Sequence, residues 1–499
     1  MRFQVFKNGE LARDFELSAA YMFGADRVPL RTSSKIRFKN GSIECVKKGP
    51  ESAGLSLLWP VDGFGKVLLS TTRVPERKRP YNLNVELARA RLMQITLKRE
   101  DWSLFDEETN KFSNMAHHAQ DVFIKAVQNI GNPSRASVLA DESLKEAMLF
   151  SERLAAKHAE IFLAARCRIR GLGRHSLGCC IDPKLVDNAK YRKRLFDMFG
   201  YVTIPVNWAQ IESEKGYYDF SSIDHCIDVL VGRRLAICAG PLLYFHPDYL
   251  PEWLGGSRTE FGKIREAAYE FISRIVTRYS RYIHAWRVIS GMNAHNHFSF
   301  NFEQMIEITR TACLAARSAD NKSRKIVEIL LPWGEYYSER KNTVPPLVYA
   351  DMVIQSAISF DAFAVQMHFG KDRPGMHIRD MMQISSMLDY FAAVVKPVHV
   401  TGVAIPGRSE SNDQDWRVAG KWHREWDESL QSDWIEQFYK IALGKPFVNS
   451  ITYLNLADTE DTKILGSGLL TEGFEPKETF LTLEKLQKLI LTRQKKGSR

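Results

Sequence analysis

The chain reads Ile-His-Ala-Trp-Arg-Val-Ile-Ser-Gly-Met-Asn from Ile283 to Asn293, and this stretch decides its predicted fold class. A tryptophan followed by a β-branched run, with polar residues where the run ends, is typical of a buried parallel strand. In a barrel of such strands, the carboxyl ends open into the functional site. The sequence therefore predicts a barrel strand here, with residues 290–293 at the edge of a site.

Strand patterns alternate with amphipathic helical patterns from about Leu177 onward, which indicates a parallel α/β architecture. The eight candidate strands are 177–181, 202–206, 235–243, 284–289, 326–331, 362–368, 398–403 and 448–456. Helices are predicted between them, for example at 261–279, 302–318 and 378–391. Eight such units predict a (β/α)8 TIM barrel. A doubly wound sheet would carry a glycine-rich phosphate turn after its first strand, and residues 181–184 offer none.

The first 170 residues follow a different pattern. Short strand patterns occupy 3–6, 35–38, 42–46, 55–59 and 66–70, separated by turn pairs at Asn8-Gly9, Asn40-Gly41 and Asp62-Gly63. Asn-Gly and Asp-Gly pairs are strong hairpin signals. Helical patterns follow at 84–98, 116–130 and 141–168, the last with Asp141 as its predicted N-cap. We predict a β-sandwich-like domain at 1–75, a helical connector at 76–170 and the barrel at 171–499.

The composition is that of a soluble globular protein, with 44% hydrophobic and 26% charged residues. No apolar run approaches the ~20 residues of a membrane span, and the first residues lack the apolar core of a secretory signal, so we expect a cytoplasmic protein with no membrane partner. Seven cysteines without a Cys-x-x-Cys spacing favour reduced core thiols. The net charge is 69 − 59 = +10, but the sequence contains no nucleic-acid-binding motif, so no nucleic-acid partner is predicted. It contains no cofactor motif either, and no cofactor is predicted.

Several motifs in the second half occur in the order of a known family. Trp286 and Val288 match a fourth strand that reads Trp-Asp-Val-Val-Asn-Glu in that family. The other matching residues are Trp208, Glu212, Gly216, Phe220, Asp224, His246, Pro251, Trp253, Gln366, His368, Phe474, Pro476 and Lys477. On these residues the chain resembles glycoside hydrolase family 10, the xylanase family. The resemblance implies a retaining glycosidase with a glutamate acid/base ending strand four and a glutamate nucleophile ending strand seven.

The departures from this family pattern concentrate at the predicted strand ends. Gly291 stands at the acid/base position and Gly402 at the nucleophile position. Asn207 replaces a sugar-binding lysine, Pro241 replaces a histidine, and Leu454 replaces a stacking tryptophan. Retaining hydrolysis needs two carboxyl groups about 5–5.5 Å apart, and glycine supplies neither. We therefore expect a catalytically inactive, pseudoenzyme-like barrel that retains a cleft for saccharide or another polyhydroxylated small molecule.

Two alternatives stay open on the sequence. The first is an active O-glycosyl hydrolase that uses relocated carboxylates, with Glu335 after strand five and Asp458 after strand eight as the candidates. The second is a structural or interaction protein whose barrel is inert. The N-terminal sandwich could itself bind carbohydrate, although Trp59, its one tryptophan before the connector, lies in an apolar strand and suits a core.

The predicted cleft gives a set of candidate ligand-binding residues, namely Asn207, His246, Asn293, Trp333, Gln366, His368 and Trp422. Trp422 either stacks on a sugar or pins the long loop after strand seven, and packing is favoured for Trp416 in the same loop. His295 and His297 could begin a metal site with His246 or His368, but this spacing is common and no metal is predicted. His399 lies three residues from Gly402, so strict alternation points it outward, toward the helices.

Overall fold

The computed structural model describes residues 1–496 apart from 32–34, 103–112, 170, 234, 257–258 and 411–417. The strands of the first half are β1 (Arg2–Gln4), β2 (Phe6–Lys7), β3 (Glu10–Leu11), β4 (Tyr21–Phe23), β5 (Lys35–Lys39), β6 (Ser42–Val46), β7 (Gly54–Val61), β8 (Gly65–Ser70) and β9 (Tyr81–Asn82). Those of the second half are β10 (Leu177–Cys180), β11 (Tyr201–Ile204), β12 (Ala236–Ala239), β13 (Leu243–Tyr244), β14 (Ala285–Ser290), β15 (Arg324–Ile329), β16 (Ala362–His368), β17 (Val398–Ala404), β18 (Lys421–Trp422) and β19 (Val448–Tyr453).

The α-helices are α1 (Leu83–Asp101), α2 (Ser113–Gln128), α3 (Pro133–Arg168), α4 (Ala189–Met198), α5 (Trp208–Ile211), α6 (Ser221–Leu230), α7 (Phe261–Tyr279), α8 (Phe302–Ala319), α9 (Pro346–Gln355), α10 (Met381–Ala392), α11 (Glu428–Gly444) and α12 (Glu478–Lys496). Local sequence explains several of their starts. Asn301 caps α8, for example, by accepting from the Gln304 N–H, and the Gln304 side chain accepts in return from the Asn301 N–H in a reciprocal capping box. None of the helices in the described part of the chain combines the length and the apolar character that a membrane crossing requires.

Eight parallel strands close into a barrel, which confirms the predicted TIM-barrel fold class. The strands pair in the order β12-β11-β10-β19-β17-β16-β15-β14, and β12 also pairs with β14 to close the ring. All eight predicted strands are present. The third is split into β12 and β13 at Gly240 and Pro241, because proline has no N–H to donate to the ladder.

The alternation of side-chain directions along β14 shows how the stretch from Ile283 to Asn293 forms part of the barrel wall. Trp286 and Val288 are fully buried in the main hydrophobic core. Arg287, between them, lies inside the barrel, because its guanidinium reaches the buried Glu328 on β15. Successive side chains of a strand point to opposite faces, so apolar residues meet the helices while polar ones line the interior.

His399 also lies inside the barrel, so the prediction that it points toward the helices is wrong. Its Nδ1 lies 2.7 Å from Ser450 Oγ, which also accepts from the buried Tyr201 hydroxyl. The pairing of β17 with β19 shifts register between Val400 and Val403. Such a bulge adds a residue to the strand and breaks the strict alternation on which the prediction relied.

The N-terminal strands form two four-stranded sheets, in the orders β5-β6-β1-β9 and β18-β8-β7-β4. The predicted turns at Asn8-Gly9, Asn40-Gly41 and Asp62-Gly63 each join an antiparallel pair. Strand β18 comes from the loop after β17, so the barrel contributes one strand to an N-terminal sheet. The domain boundaries at 75 and 170 stay predictions.

Helix α3 begins earlier than the sequence pattern indicated. Asn132 caps it by accepting from the Arg135 N–H at 3.2 Å, and Pro133 occupies the first turn. Asp141 is therefore an interior residue of the helix, and its prediction as the N-cap is wrong. Its two carboxylate oxygens each accept from Asn84 Nδ2 at 2.9 Å, and burial raises the pKa of Asp141 to about 7.

The helical segment joins the barrel through a buried ion pair. Arg91 on α1 donates to both carboxylate oxygens of Asp380, which caps α10, and the two side chains are 3% and 1% exposed. A charge removed from water in this way is tolerated only when it is paired and hydrogen-bonded. This contact fixes α1 against the barrel helix that follows β16.

Candidate functional site

Gly291 and Gly402 both adopt backbone conformations that L-residues rarely take. Gly291 directly follows β14 with φ of +63°, and Gly402 lies in β17 with φ of +60°. The pairing of β14 with β15 shifts register between Arg287 and Ile289, as β17 does near Gly402. Both glycines are therefore part of irregular strand ends, where positive φ favours glycine.

The space beside each glycine is occupied by a neighbouring side chain. An ideal Cβ on Gly291 would lie 2.5 Å from Leu330 Cδ1 and 3.2 Å from Tyr244 Cε2. An ideal Cβ on Gly402 would lie 2.8 Å from Gln366 Cγ and 3.1 Å from Gln366 Nε2. These separations are shorter than ordinary van der Waals contact, so any side chain at either position displaces a neighbour.

A buried carboxylate, Glu328 on β15, connects the two strand ends. Its side chain is 1% exposed and accepts from Arg287 Nη1 at 2.9 Å. Ser290 Oγ donates to it at 2.6 Å and Thr401 Oγ1 at 2.5 Å. Ser290 and Thr401 immediately precede the two glycines, so the carboxylate is hydrogen-bonded to the strands that carry both positions.

Burial opposes ionisation of Glu328, but the Arg287 charge and the two hydroxyl donors outweigh it and lower the pKa of the carboxyl below its usual value. Glu328 is therefore an ionised, fully hydrogen-bonded group. The sequence interpretation missed this residue. The available signal was a lone glutamate in the apolar run of β15, opposite a lone arginine in the apolar run of β14.

Glu335, the first candidate for a relocated catalytic carboxylate, is buried and has its own polar partners. It is 3% exposed and pairs with the buried Arg379 and with the Gly375 N–H. His377 Nδ1 lies 3.6 Å from Glu335 Oε2, and the other ring nitrogen of His377, Nε2, lies 3.0 Å from Asp372 Oδ1. Glu335 thereby holds the loop after β16 in place.

Asp458, the second candidate for a relocated catalytic carboxylate, also has polar partners of its own. It accepts from Lys477 Nζ at 3.0 Å and from the Gly468 N–H at 2.7 Å. These contacts close the loop after β19 on itself. Glu335 and Asp458 thus belong to two separate clusters, and the described contacts do not join them.

Four aromatic rings form a cluster where β13 and β14 end. His246 lies 5.6 Å from Tyr244 and 5.1 Å from His295, measured between ring centroids. Tyr244 also contacts Tyr249 at 4.8 Å and His295 at 5.2 Å. We call Tyr244, His246, Tyr249 and His295 the ring cluster. His246 was predicted to bind ligand, whereas the two tyrosines were not singled out.

The histidines at the barrel mouth are held neutral. Burial lowers the pKa of His295 to about 3 and that of His368 to about 4, and it also lowers the pKa of His246. Neutral imidazoles offer one donor and one acceptor each. Within the described residues, no three side chains of the His, Cys, Asp and Glu types come together as a metal site would require.

Gln366 and His368 lie at the carboxyl end of β16, as the sequence predicted. Both are half-buried, and Gln366 fills the space next to Gly402. The Nδ1 of His368 is buried without a hydrogen-bond partner in the described part of the chain. Trp333 is half-buried, edge-on to Phe369 at 5.4 Å.

Three other predicted ligand-binding residues serve the fold. Asn293 is fully buried and donates to Leu330 O at 2.8 Å and to a tyrosine hydroxyl. Asn207 caps α5 and donates to Asp248 O. Trp422 is 2% exposed, and its indole N–H donates to Glu152 Oε1 at 2.7 Å, so it packs the loop. Trp416 lies outside the described residues.

Comparison with known proteins identifies the family of the barrel. Residues 168–463 match the profile of glycosyl hydrolase family 10. A psychrophilic family 10 endo-β-1,4-xylanase superposes with a TM-score of 0.50 at 16% identity, covering 62% of this chain and 96% of that one. Xylanase 10B from Thermotoga maritima gives 0.49 at 16% identity, covering 66% and 98%.

A curated relative is the β-galactosidase BbgII of Bifidobacterium bifidum, 24% identical over 165 residues, which cover 29% of this chain. The match spans only 24% of that enzyme's length. The structural likeness at 16% identity shows the barrel fold. The profile match extends over more than half of the sequence, and on that ground the chain belongs to glycosyl hydrolase family 10.

Proposed function

We propose that this barrel binds saccharide at its mouth and does not hydrolyse it. The proposal rests on the backbone conformation and the packing at the two strand ends. Gly291 and Gly402 both have positive φ, and Leu330 and Gln366 occupy the space that a side chain would need. The backbone and its neighbours are adapted to glycine at these two positions.

The chemistry of retaining hydrolysis explains why these positions matter. One carboxyl group protonates the leaving oxygen and a second attacks the anomeric carbon, with the two about 5–5.5 Å apart. Loss of general acid/base assistance alone typically costs 10²–10⁴-fold in rate. Glycine at the corresponding positions supplies no proton, no nucleophile and no negative charge.

The nearby carboxylates are poor replacements. Glu328 is ionised and accepts three side-chain donors, so at neutral pH it has no proton to give and little freedom to attack. Glu335 and Asp458 each neutralise a buried cation, Arg379 and Lys477 respectively. An active hydrolase would need at least two of these groups to leave their partners.

The ring cluster supports retention of saccharide binding. Aromatic faces next to half-buried polar groups suit the apolar faces and hydroxyls of sugars. His246 exposes about a third of its side chain and lies beside Tyr244 and His295. Membership in a glycosidase family is consistent with a polyhydroxylated ligand in this position.

A combined turnover and binding experiment tests the proposal. We expect no hydrolysis of aryl xylosides, cellobiosides, galactosides or xylan above buffer, and oligosaccharide dissociation constants between high micromolar and millimolar, equivalent to about −4 to −6 kcal/mol. His246→Ala should weaken binding, whereas His225→Ala, an exposed histidine on α6, should not. Turnover that disappears in Glu335→Gln would establish the alternative, a hydrolase with relocated carboxylates.

A further inference from the structure

Four cationic side chains surround the barrel mouth without a carboxylate partner. Arg340 follows β15, Lys371 and Arg373 follow β16, and Lys463 follows β19. Within the described residues, none of the four has an acidic oxygen within 4.0 Å. The neighbouring acid Asp372 is directed to His377. All four are half-buried or exposed, so their charges are available to a ligand.

A direct contact places one of these cations, Arg340, at the ring cluster. Arg340 Nη1 lies 3.5 Å from His295 Nε2 and donates to Ala294 O at 3.3 Å. Ile464, next to Lys463, packs against Met376 and Ala404, so the loop after β19 crosses toward the ends of β16 and β17. The mouth is therefore bordered by positive charge on three of its loops.

The electrostatic effects on the histidines agree with this placement. Burial is the main cause of their lowered pKa values, and Lys463 lowers the pKa of both His246 and His368 further. Arg340 and Arg373 lower the pKa of His246 in the same direction, while the Asp248 carboxylate, the largest single charge effect on His246, raises it. Glu328, which opposes the cations at His368, is already paired with Arg287.

We propose that the saccharide bound at this mouth is anionic, a sugar that carries a carboxylate or a phosphate group. The inference rests on the proposed saccharide binding and specifies its ligand class. Glycines stand at the positions of the family's two glutamates, and four unpaired cations border the same opening. Guanidinium and ammonium groups bind carboxylate and phosphate through charge-assisted hydrogen bonds, while the neutral ring cluster contacts the sugar itself.

Matched ligand pairs test the proposal on the whole chain of 499 residues. Trigalacturonate is compared with its neutral methyl ester, glucose 6-phosphate with glucose, and inorganic phosphate serves as the ion control. We expect at least one anionic sugar to bind tenfold or more tightly than its neutral partner. That preference should shrink between 50 and 300 mM NaCl because salt screens exposed charges. The two pairs separate carboxylate from phosphate recognition.

Charge-removing variants locate the effect. Lys463→Gln and Arg340→Gln should each reduce the anionic preference several-fold, and the double variant should abolish it. Lys488→Gln removes an equal charge on α12, where Lys488 pairs with Glu484 at 3.0 Å, and should leave the preference intact. Thermal unfolding of each variant verifies that it is folded.

The outcomes separate this inference from the proposed function. Equal affinity for neutral and anionic sugars overturns the inference and leaves saccharide binding standing. When trigalacturonate shows no preference over its ester, inorganic phosphate that binds as tightly as glucose 6-phosphate also overturns it, because the sugar would then contribute nothing. Absence of binding by all the sugars overturns both proposals.

Discussion

Arg287 Nη1 lies 2.9 Å from Glu328 Oε1 inside the barrel, where their side chains are 11% and 1% exposed. Breaking a buried pair by removing one partner typically costs 3–5 kcal/mol because the other charge stays buried. We expect Glu328→Gln to lower the free energy of unfolding by about that amount. Replacing both charges, as in Arg287→Met with Glu328→Gln, should cost less than Glu328→Gln alone. Denaturant unfolding measures all of these changes.

The control for this comparison is an exposed ion pair. Glu307 pairs with Arg265 on the surface at 3.4 Å, with both side chains about half exposed. Glu307→Gln should change the free energy of unfolding by less than about 1 kcal/mol. A similar cost for both substitutions would contradict the view that burial makes the Glu328 pair critical.

Introducing glutamates at 291 and 402 should not produce hydrolysis. Each side chain would be forced into positive φ, at about 1–2 kcal/mol, and would also have to displace Leu330 or Gln366. We expect the Gly291→Glu/Gly402→Glu variant to be destabilised by several kcal/mol and to show at most trace activity toward aryl xylosides.

Single alanine substitutions separate backbone strain from crowding. Gly216 has φ of +81° and nothing within 4 Å of an added Cβ, so Gly216→Ala measures strain alone. Gly291→Ala should be more destabilising than Gly216→Ala, and the difference gives the cost of moving Leu330. Equal values in thermal and denaturant unfolding would show that the site around Gly291 can relax.

Asp141 predicts a specific dependence of stability on pH. Burial is the chief reason that its pKa in the folded chain is raised from the ordinary 3.8 to about 7. Between these two values the unfolded chain loses the proton while the folded chain keeps it, so stability falls as pH rises from about 4 to 7. Asp141→Asn should remove this fall and be more stable than the natural chain at pH 7.5, by about 2–4 kcal/mol. At pH 3.5 the gap should close, and Asp121→Asn on the exposed side of α2 should show no such trend.

Trp422 predicts a separation between stability and ligand binding. Glu152 accepts from the Trp422 indole at 2.7 Å and lies 2.8 Å from His423 Nε2, so the tryptophan fastens the loop after β17 to α3. Trp422→Ala should cost about 3–5 kcal/mol in unfolding free energy, and Trp422→Phe less. Saccharide affinity of the folded Trp422→Phe variant should equal that of the natural chain. A large loss of affinity without a loss of stability would support stacking instead.

Periodicity predicted the barrel well because a buried parallel strand is continuous in sequence. All eight strands, and helices such as α7, were found at or near their predicted positions. Helix starts were less certain, since Asn132 and Asp141 are both plausible caps and only tertiary burial distinguishes them. The split of the third strand follows from one proline.

The site was predicted less completely because it depends on contacts between distant segments. Asn293 was expected to face ligand, and Trp422 either to stack on a sugar or to pin its loop, and the partners that they contact, Leu330 and Glu152, lie far away in sequence. Glu328 was missed although a lone glutamate in β15 and a lone arginine in β14 are visible in the sequence, because only the pairing of the two strands brings them together. The four cations at the barrel mouth lie on loops after three different strands. No local sequence pattern indicates that these loops come together.

The pairing of β18 with β8 has a consequence for how the protein is made. Lys421 pairs with Lys66 and Trp422 with Gly65, so one of the N-terminal sheets is completed by residues synthesised much later. Until the ribosome has delivered that segment, β8 presents an open edge whose backbone groups can pair with another chain. Nascent or truncated chains that end before Lys421 should therefore be prone to self-association and should depend on chaperones, whereas the complete chain closes the edge from within.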